Sequence, residues 1–270
     1  LLGEDTLATL EAIKAFGAQV TGGDELRIVG GELRCPDAVI DARNSGTTIR
    51  LMAGVASLLP CSTVLTGDAS VRSRPMQPLI DALCMLGVRC ESTRGNGLAP
   101  LIVRGPNLGT ATEVRGDVSS QFISALLLPS PLKAVDTTVR LTSPLRSRPY
   151  VDITREMMLR FGARSEALPD GFLVPGGQRY RPQTYTVPGD FSSAAFPLAA
   201  GALTGRVTVR NLDPADAQGD RAFLDILTGL GAEVAWRGDA LTCSRGELRG
   251  AAIDLGDAPD LFPITAVMCA

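Results

Sequence analysis

Two hydroxyl-rich segments of the chain share the same order of residue types. Residues 116–120 read Gly-Asp-Val-Ser-Ser and residues 189–193 read Gly-Asp-Phe-Ser-Ser, and each stands directly before an apolar run. Ser, Thr, Asn and Asp are favoured helix N-caps, so capping alone would explain either segment. Free backbone N–H groups at a helix N-terminus also bind anions. Because Ser119, Ser120 and Gln121 together offer more hydrogen-bonding groups than a cap uses, we favour an anionic ligand at the first segment.

Arginine carries nearly all the positive charge, since the chain contains only two lysines. The planar guanidinium group suits two-pronged contacts with phosphate or carboxylate groups, although we expect most arginines to be solvated surface residues. Three stand out. Arg50 follows a hydroxyl-rich segment, and Arg72 and Arg74 lie in a loop that precedes a helix predicted over 76–86. A loop at a helix N-terminus is a position where an anion would bind.

The composition excludes several classes of chemistry. The chain has no histidine, which rules out a Ser-His-Asp triad, a Cys-His pair and a His-ligated metal within it. Neither a Walker-type phosphate loop nor a G-x-G-x-x-G after a strand occurs, which argues against those modes of nucleotide binding. The net charge of −3 gives no general attraction to nucleic acid or to an acidic membrane. Catalysis would therefore use Asp, Glu, Lys, Arg, Ser, Tyr or Cys.

The cysteines and the chain ends lead to three expectations. The six cysteines lie mostly among apolar neighbours without a C-x-x-C pair, which predicts reduced, buried thiols of a cytosolic protein. No apolar run reaches about 18 residues and no basic leader precedes one, so we expect neither a membrane span nor a signal peptide. The chain opens at Leu1 without a methionine and ends at Ala270 within an apolar run, so we expect it to be a fragment.

A repeat of about 70 residues organises the chain. Four helical apolar patterns each close on a glycine followed by a short strand, and these glycines are 70, 75 and 69 residues apart: Gly17, Gly87, Gly162 and Gly231. Hydroxyl-rich or acidic helix starts lie between them, at Asn44, Ser119, Ser192 and Pro259. The pattern predicts a tandem α/β unit, and the recurring Gly-Asp segment starts the equivalent helix of successive units. A Pro- and Gly-rich stretch over 169–188 predicts two domains, 1–187 and 188–270.

Seven motifs in one order along the chain resemble the 5-enolpyruvylshikimate-3-phosphate synthase family. They are NSGTTIR (44–50), TGDASVRSRPM (66–76), GDVSSQF (116–122), SRPYVDIT (147–154), GDFSSAAF (189–196), QGDR (218–221) and PDLFP (259–263). The resemblance implies an α/β (α+β) fold, the inside-out α/β barrel of enolpyruvyl transferases. It also implies two domains, each built from three βαβαββ units, which agrees with the period of about 70 residues.

The resemblance further implies an activity, the transfer of the enolpyruvyl group of phosphoenolpyruvate to the 5-hydroxyl of shikimate-3-phosphate with release of phosphate. For shikimate-3-phosphate it implies three phosphate ligands and two ring contacts, namely Ser119, Ser120 and Ser147, and Gln121 and Tyr150. For phosphoenolpyruvate it implies the backbone at Gly46 and the side chain of Arg74. Asp260 is implied to hydrogen-bond the ring hydroxyls and to take the proton from the attacking one.

The implied chemistry brings two anions together and then needs only proton transfers, so we expect no metal and no redox cofactor. The partners would be the two small-molecule substrates, without nucleic acid or membrane. The implied full-length protein is a cytoplasmic monomer of the shikimate pathway.

The chain departs from the family pattern in two respects. Arg43 stands where the family usually has a glycine, and arginine adopts the backbone angles open to glycine only with strain, so the resemblance does not decide the shape of this loop or the response to the inhibitor glyphosate. The family's N-terminal lysine, its Ser-x-Ser-x-x-Arg segment, its Glu-Thr-Asp-Arg motif and its second lysine have no counterpart in the sequence. We therefore expect that this chain alone does not turn over.

Two other functions stay open at this point. The related enolpyruvyl transferase of peptidoglycan synthesis acts on UDP-N-acetylglucosamine and typically has a cysteine in the loop that corresponds to residues 68–74, where this chain has none. The second is a non-catalytic fragment that only binds a phosphorylated metabolite. An assay of phosphate release from the two substrates separates this one from an enzyme.

Overall fold

The computed structural model describes residues 2–23 and 25–270. The eight α-helices of the described residues are α1 (Glu4–Ala15), α2 (Gly46–Ala56), α3 (Gln77–Met85), α4 (Ser120–Leu127), α5 (Arg148–Arg160), α6 (Phe191–Thr204), α7 (Phe223–Gly229) and α8 (Phe262–Cys269). The strands are β1 (Gln19–Gly22), β2 (Leu26–Val29), β3 (Ile40–Asp41), β4 (Thr63–Thr66), β5 (Arg89–Ser92), β6 (Leu101–Arg104), β7 (Ala111–Val114), β8 (Thr137–Leu141), β9 (Glu166–Leu168), β10 (Gly171–Val174), β11 (Arg206–Val209), β12 (Glu233–Arg237) and β13 (Ala240–Ser244). None of the described helices combines the length and the apolar composition needed to cross a lipid bilayer.

Two complete βαβαββ units follow each other along the chain. The first runs β3-α2-β4-α3-β5-β6 with the strand order β3-β4-β6-β5, and the second runs β7-α4-β8-α5-β9-β10 with the order β7-β8-β10-β9. In both sheets the first two strands of the unit are parallel and the other neighbours are antiparallel. The tandem α/β repeat predicted from the glycine spacing is confirmed.

A third unit keeps the same order without an opening strand in the described residues. It runs α6-β11-α7-β12-β13, and its sheet has the antiparallel order β11-β13-β12. Helix α1 with the ribbon β1-β2 matches the second half of a unit, and α8 matches the first helix of another. Partial units thus flank the complete ones on both sides.

The four spaced glycines end their helices in one conformation. Their φ angles are +104° at Gly17, +82° at Gly87, +88° at Gly162 and +95° at Gly231, all in the left-handed region that favours glycine. In each case the next residue donates its N–H to the carbonyl five positions earlier, as in a Schellman cap. The N···O distances are 3.0 Å (Ala18 to Ile13), 3.1 Å (Val88 to Leu83), 2.8 Å (Ala163 to Met158) and 2.9 Å (Ala232 to Leu227).

The chain divides into two compact units. The first contains Leu1–Leu145 and Thr154–Arg181, and the second contains Arg146–Ile153 and Pro182–Ala270. The start of α5 therefore packs with the second unit and the remainder of α5 with the first. The domain boundary between residues 187 and 188 stays a prediction.

Each unit has its own buried helices. In the first unit, α2 and α4 approach so closely that a Cβ on Gly54 would lie 2.0 Å from the carbonyl oxygen of Ala125. Phe122 of α4 is fully buried there. In the second unit, α6 packs its apolar face against the sheet, with Phe191 and Leu198 both about 1% exposed. These buried helices hold the hydroxyl-rich N-termini in fixed positions.

The prediction of six reduced, buried thiols is wrong. Cys35 and Cys61 form a disulfide across 26 residues of chain, with a Cα–Cα distance of 6.1 Å. Cys84 and Cys269 are free and exposed, and the buried free thiols are those of Cys90 and Cys243. The pairing depends on tertiary contact between the loop after β2 and the loop after α2, which cysteine spacing does not reveal.

Candidate active site

The N-terminus of α2 lies against two guanidinium groups. Ser45 caps the helix, and its Oγ accepts the N–H of Thr48 at 3.1 Å. A Cβ built on Gly46 would lie 2.5 Å from Nη1 of Arg74 and 3.5 Å from Nη1 of Arg50. A side chain at position 46 would therefore displace the Arg74 guanidinium from this helix end. The sequence predicted both Gly46 and Arg74 as site residues, and the structure places them side by side.

Arg50 is an unusual cation because it is buried without an acidic partner. It is 9% exposed, stacks on the ring of Phe122 at 5.0 Å, and donates from Nη1 to Oε1 of Gln121. Its Nε has no hydrogen-bond partner. Burial and then the nearby charge of Arg74 lower the pKa of Arg50.

Neither Arg50 nor Arg74 forms a salt bridge with a carboxylate in the part of the chain that the structure describes. Buried positive charge of this kind is costly unless an anion compensates it. The arrangement therefore fits a bound anion at the N-terminus of α2, where the backbone N–H groups also favour negative charge.

The loop that carries Arg74 is held by Asp68. Its carboxylate accepts the N–H of Val71 at 2.9 Å and Nδ2 of Asn44 at 2.6 Å, and these two bonds lower the pKa of Asp68. Arg74 itself donates from Nη2 to Oγ of Ser70 at 3.4 Å. The loop conformation is thus fixed from within and leaves the guanidinium facing Gly46.

Arg43 has a positive φ angle, a backbone conformation typical of the glycine that the family usually has at this position. Its φ is +51°, in the left-handed region that is strained for a side chain other than glycine. Two interactions hold it there: its N–H donates to Asp41 at 2.8 Å, and its side chain pairs with Glu4 at 3.1 Å. Its carbonyl accepts the N–H of Asp68 at 2.7 Å. The loop keeps its shape at the cost of a strained arginine.

The N-terminus of α4 joins that of α2 in the first unit. Ser119 is the N-cap of α4, and Ser120 is the first residue of the helix and is buried. Gln121 bridges the two helices, because its Nε2 donates to Oγ1 of Thr47 at 2.9 Å while its Oε1 accepts from Arg50. The structure therefore brings both helix N-termini, with their serines and arginines, into one part of this unit.

The second unit contains the remaining predicted residues. Tyr150 donates its hydroxyl hydrogen to Oδ2 of Asp260 at 3.1 Å. Burial, followed by the charges of Asp220 and Asp260, raises the pKa of Tyr150. Ser147 lies just before α5 with φ +52°, and its carbonyl accepts the N–H of Tyr150 at 3.2 Å. Tyr150 and Asp260 thus meet through their side chains, whereas Ser147 is linked to Tyr150 through the backbone alone.

Asp220 interacts with Tyr150 and Asp260 although the sequence singled it out only as part of a motif. It is 2% exposed, and its Oδ2 accepts a hydrogen bond from Oγ of Ser192. Its Oδ1 is buried without a partner. Burial and the charges of Asp260 and Asp190 raise the pKa of Asp220. An aspartate directly before an apolar helix signals a cap, and only the tertiary structure reveals its acidic neighbours.

The sequence matches the EPSP synthase family (3-phosphoshikimate 1-carboxyvinyltransferase) over residues 1–270. It is 52% identical to the 3-phosphoshikimate 1-carboxyvinyltransferase of Methanocorpusculum labreanum over 272 residues, covering 99% of this chain and 64% of that protein. It is 49% identical to the enzyme of the same name from Methanocella arvoryzae, covering 100% of this chain and 65% of the relative. The chain thus spans just under two thirds of the length of these relatives.

Solved structures show the same relationship. EPSP synthase from Acinetobacter baumannii superposes with a TM-score of 0.80 at 28% identity, over 97% of this chain and 62% of that one. The enolpyruvyl transferase NikO from Streptomyces tendae has a TM-score of 0.68 at 19% identity, over 97% of this chain and 64% of that one, and shares the fold. The matching motifs, repeated units and superposition agree, and the chain belongs to the EPSP synthase family.

Proposed function

We propose that this chain carries a large part of the active site of a 3-phosphoshikimate 1-carboxyvinyltransferase. The reaction transfers the enolpyruvyl group of phosphoenolpyruvate to the 5-hydroxyl of shikimate-3-phosphate and releases phosphate. The observation that carries the proposal is the pair of guanidinium groups that form no salt bridge among the described residues, Arg50 and Arg74, at the N-terminus of α2. An enzyme that brings two phosphorylated acids together needs such positive charge.

In the proposal, phosphoenolpyruvate binds at the guanidinium groups of Arg50 and Arg74. Arg74 makes the charge-assisted contact, and the backbone at Gly46 offers the N–H groups of the helix end. Arg50 adds a second positive charge and holds Gln121 in place through its hydrogen bond. The close approach of Arg74 to Gly46 supports this assignment, since it places the guanidinium beside the backbone of the helix end.

In the proposal, hydroxyl groups make most of the contacts to shikimate-3-phosphate. Ser119 and Ser120 at the start of α4, together with Ser147, hold the 3-phosphate, while Gln121 and Tyr150 contact the ring. Hydroxyl groups and N–H groups at a helix N-terminus suit a phosphate. The serine-rich start of α4 supports this role.

Asp260 is the proposed catalytic base. Its carboxylate takes the proton of the 5-hydroxyl while that oxygen bonds to C2 of phosphoenolpyruvate, and the methylene carbon gains a proton. Loss of a proton from that carbon and departure of phosphate complete the exchange. The hydroxyl of Tyr150 donates to Asp260 and so orients the carboxylate. The same proposal includes a cytoplasmic location, a monomeric full-length protein and domains over 1–187 and 188–270.

Binding titrations of the purified chain test the anion site. Because lysine lacks the two-pronged guanidinium, Arg74→Lys should weaken phosphoenolpyruvate at least about tenfold and shikimate-3-phosphate much less. Arg140→Lys is the matched control, since Arg140 is an exposed arginine on β8 of the same unit. Equal losses for both ligands in Arg74→Lys, or an equal effect of the control, would remove Arg74 from the site.

Turnover is tested separately by phosphate release from the two substrates. The chain alone should bind shikimate-3-phosphate and release no phosphate, because the family motifs absent from this sequence include the expected general acid. Turnover by the chain alone, at the rate of a complete relative, would show that the catalytic groups are assigned wrongly.

A further inference from the structure

In the second unit, the carboxyl groups of Asp220 and Asp260 both interact with the hydroxyl of Tyr150. The Tyr150 hydroxyl has one hydrogen, which it donates to Asp260 at 3.1 Å. The same hydroxyl interacts with the carboxyl group of Asp220. If both carboxyl groups were ionised, the tyrosine could satisfy only one, and its oxygen lone pairs would face a second negative charge.

Of these groups, Asp220 is the least suited to carry a charge. It is 2% exposed, and Asp190 at the cap of α6 and Asp260 before α8 both add negative potential. Ser192 gives it one hydrogen bond at Oδ2, and Oδ1 has no partner. An unpartnered buried carboxylate oxygen is costly in the ionised form and is the position where a proton can reside.

The cations on the neighbouring elements do not neutralise Asp220. Arg148 of α5 pairs with Asp152 at 3.5 Å, and Arg221, next in sequence, donates to the carbonyl of Pro214. The groups that surround Asp220 include Tyr150, Ser192, Asp190 and Asp260.

We propose that Asp220 is a positioning residue that stays neutral and keeps the Tyr150 hydroxyl directed at Asp260. The proposal rests on the proposed function, in which Asp260 is the base. A neutral Asp220 leaves the single hydrogen of Tyr150 for Asp260 and spares the base a second adjacent negative charge. The ring hydroxyls of the substrate then meet one ionised carboxylate in a defined orientation.

The test compares a neutral isostere with a truncation. Asp220→Asn keeps the shape, the acceptor for Ser192 and a donor, so shikimate-3-phosphate should bind within about threefold of the original chain. Asp220→Ala removes the contact to Tyr150 and should weaken binding about tenfold. Asp225→Asn, on the exposed side of α7, is the matched control and should behave as the original chain.

The pH profile adds a readout that a purely structural residue would not move. Affinity of the original chain should fall as the pH rises through the titration of Asp220, and Asp220→Asn should lack this fall while Asp225→Asn keeps it. If Asp220→Asn is as impaired as Asp220→Ala, the residue acts as a carboxylate and the proposal is wrong. Wild-type affinity in Asp220→Ala would also overturn it.

A measurement without ligand separates this proposal from the proposed function. In a chain labelled with ¹³C at the aspartate carboxyl groups, the resonance lost in Asp220→Asn should titrate well above the ordinary aspartate range. If shikimate-3-phosphate does not bind the original chain, the proposed function fails, and the resonance still decides the state of Asp220. An ordinary titration of that resonance would refute the neutral state.

Discussion

The two Gly-Asp-x-Ser-Ser segments start helices in different ways. At residues 116–120 the cap of α4 is Ser119, whose Oγ accepts the N–H of Gln121 at 3.3 Å. At residues 189–193 the cap of α6 is Asp190, which accepts the N–H groups of Ser192 and Ser193 at 3.1 and 3.0 Å. Within the shared order of residue types, the N-cap of α6 therefore lies two positions earlier than the N-cap of α4.

The partners of the aspartate explain the difference. Asp117 accepts two bonds from Arg115, at 3.0 and 2.8 Å, and a third from Ser143 at 2.8 Å. It is unavailable as a cap, so Ser119 takes that place. The second segment follows Pro188, which has no such donor, and Asp190 is free to cap. In the second unit the hydroxyls of Ser192 and Ser193 donate to Asp220 and Asp190, whereas the Ser120 hydroxyl has no hydrogen bond to a carboxylate among the described residues.

The two helices also differ at their ends. After α4 the chain reaches Lys133, which is 4% exposed and donates to the carbonyl of Gly109 at 2.5 Å and to Oγ1 of Thr137 at 2.8 Å. Burial lowers the pKa of Lys133 to about 8. Helix α6 ends at Gly205 and passes directly into β11. A buried cation thus anchors the chain that follows α4 to Gly109 and to the start of β8.

The largest expected effect tests that anchor. Between pH 8 and 10.5 the unfolded chain binds a proton at Lys133 that the folded chain has lost, so the contribution of Lys133 to stability should rise with pH, by as much as about 3 kcal/mol. Lys133→Met should lack this rise. Urea unfolding of both chains at several pH values measures the difference. The same pH dependence in both would mean that Lys133 titrates normally.

The second prediction tests which segment binds a ligand. Ser119→Ala with Ser120→Ala should weaken shikimate-3-phosphate about thirtyfold, or about 2 kcal/mol, because two hydrogen bonds to a charged phosphate are lost. Ser193→Ala, the counterpart of Ser120, should change affinity less than about twofold because its hydroxyl already bonds to Asp190. Ser120→Ala alone keeps the cap and isolates the ligand contact. Calorimetric titration is the measurement, and equal effects in both segments would erase the distinction.

The third prediction tests the two caps. Asp190→Ala should destabilise the chain by about 1–2 kcal/mol, as the loss of an N-cap does, whereas Asp117→Ala should cost less because Ser119 still caps α4. Denaturant unfolding measures both. A larger loss in Asp117→Ala would show that its contacts with Arg115 and Ser143 outweigh a helix cap.

The smallest effect concerns Arg115. Its guanidinium, followed by Ser143, lowers the pKa of Asp117, so this carboxylate stabilises the fold above its ordinary pKa and loses that contribution as the pH falls. Arg115→Gln should therefore lose less stability on acidification than the original chain. Thermal unfolding at neutral and acidic pH compares it with Arg206→Gln, a control at an exposed arginine of β11. An unchanged acid response would deny Arg115 this role.

Local features of the fold were predictable from the residues alone. A glycine after a helical apolar pattern marks a left-handed cap wherever it occurs, and all four predicted glycines adopt that conformation. Hydroxyl-rich and acidic segments mark helix starts for the same reason, since their side chains satisfy N–H groups a few positions away. The order βαβαββ then follows from repeating such local signals.

The candidate site was predictable only in part. Gly46, Arg74 and the serines before α4 belong to motifs, and the structure places them at two joined helix ends. The uncompensated charge of Arg50 and the shared hydroxyl of Tyr150 could not be read from spacing. Each depends on which side chains from distant parts of the chain surround the group, the Arg50 guanidinium in one case and the Tyr150 hydroxyl in the other.

The sequence by itself determined the repeating α/β units, their glycine caps, the helix starts and the motifs that mark the family, because each rests on hydrogen bonds or side chains within a few residues. The tertiary structure decided the disulfide between Cys35 and Cys61, the burial of Lys133, and the acidic environment of Asp220. These depend on distance and desolvation between segments far apart in the chain, and residue order alone specifies neither quantity.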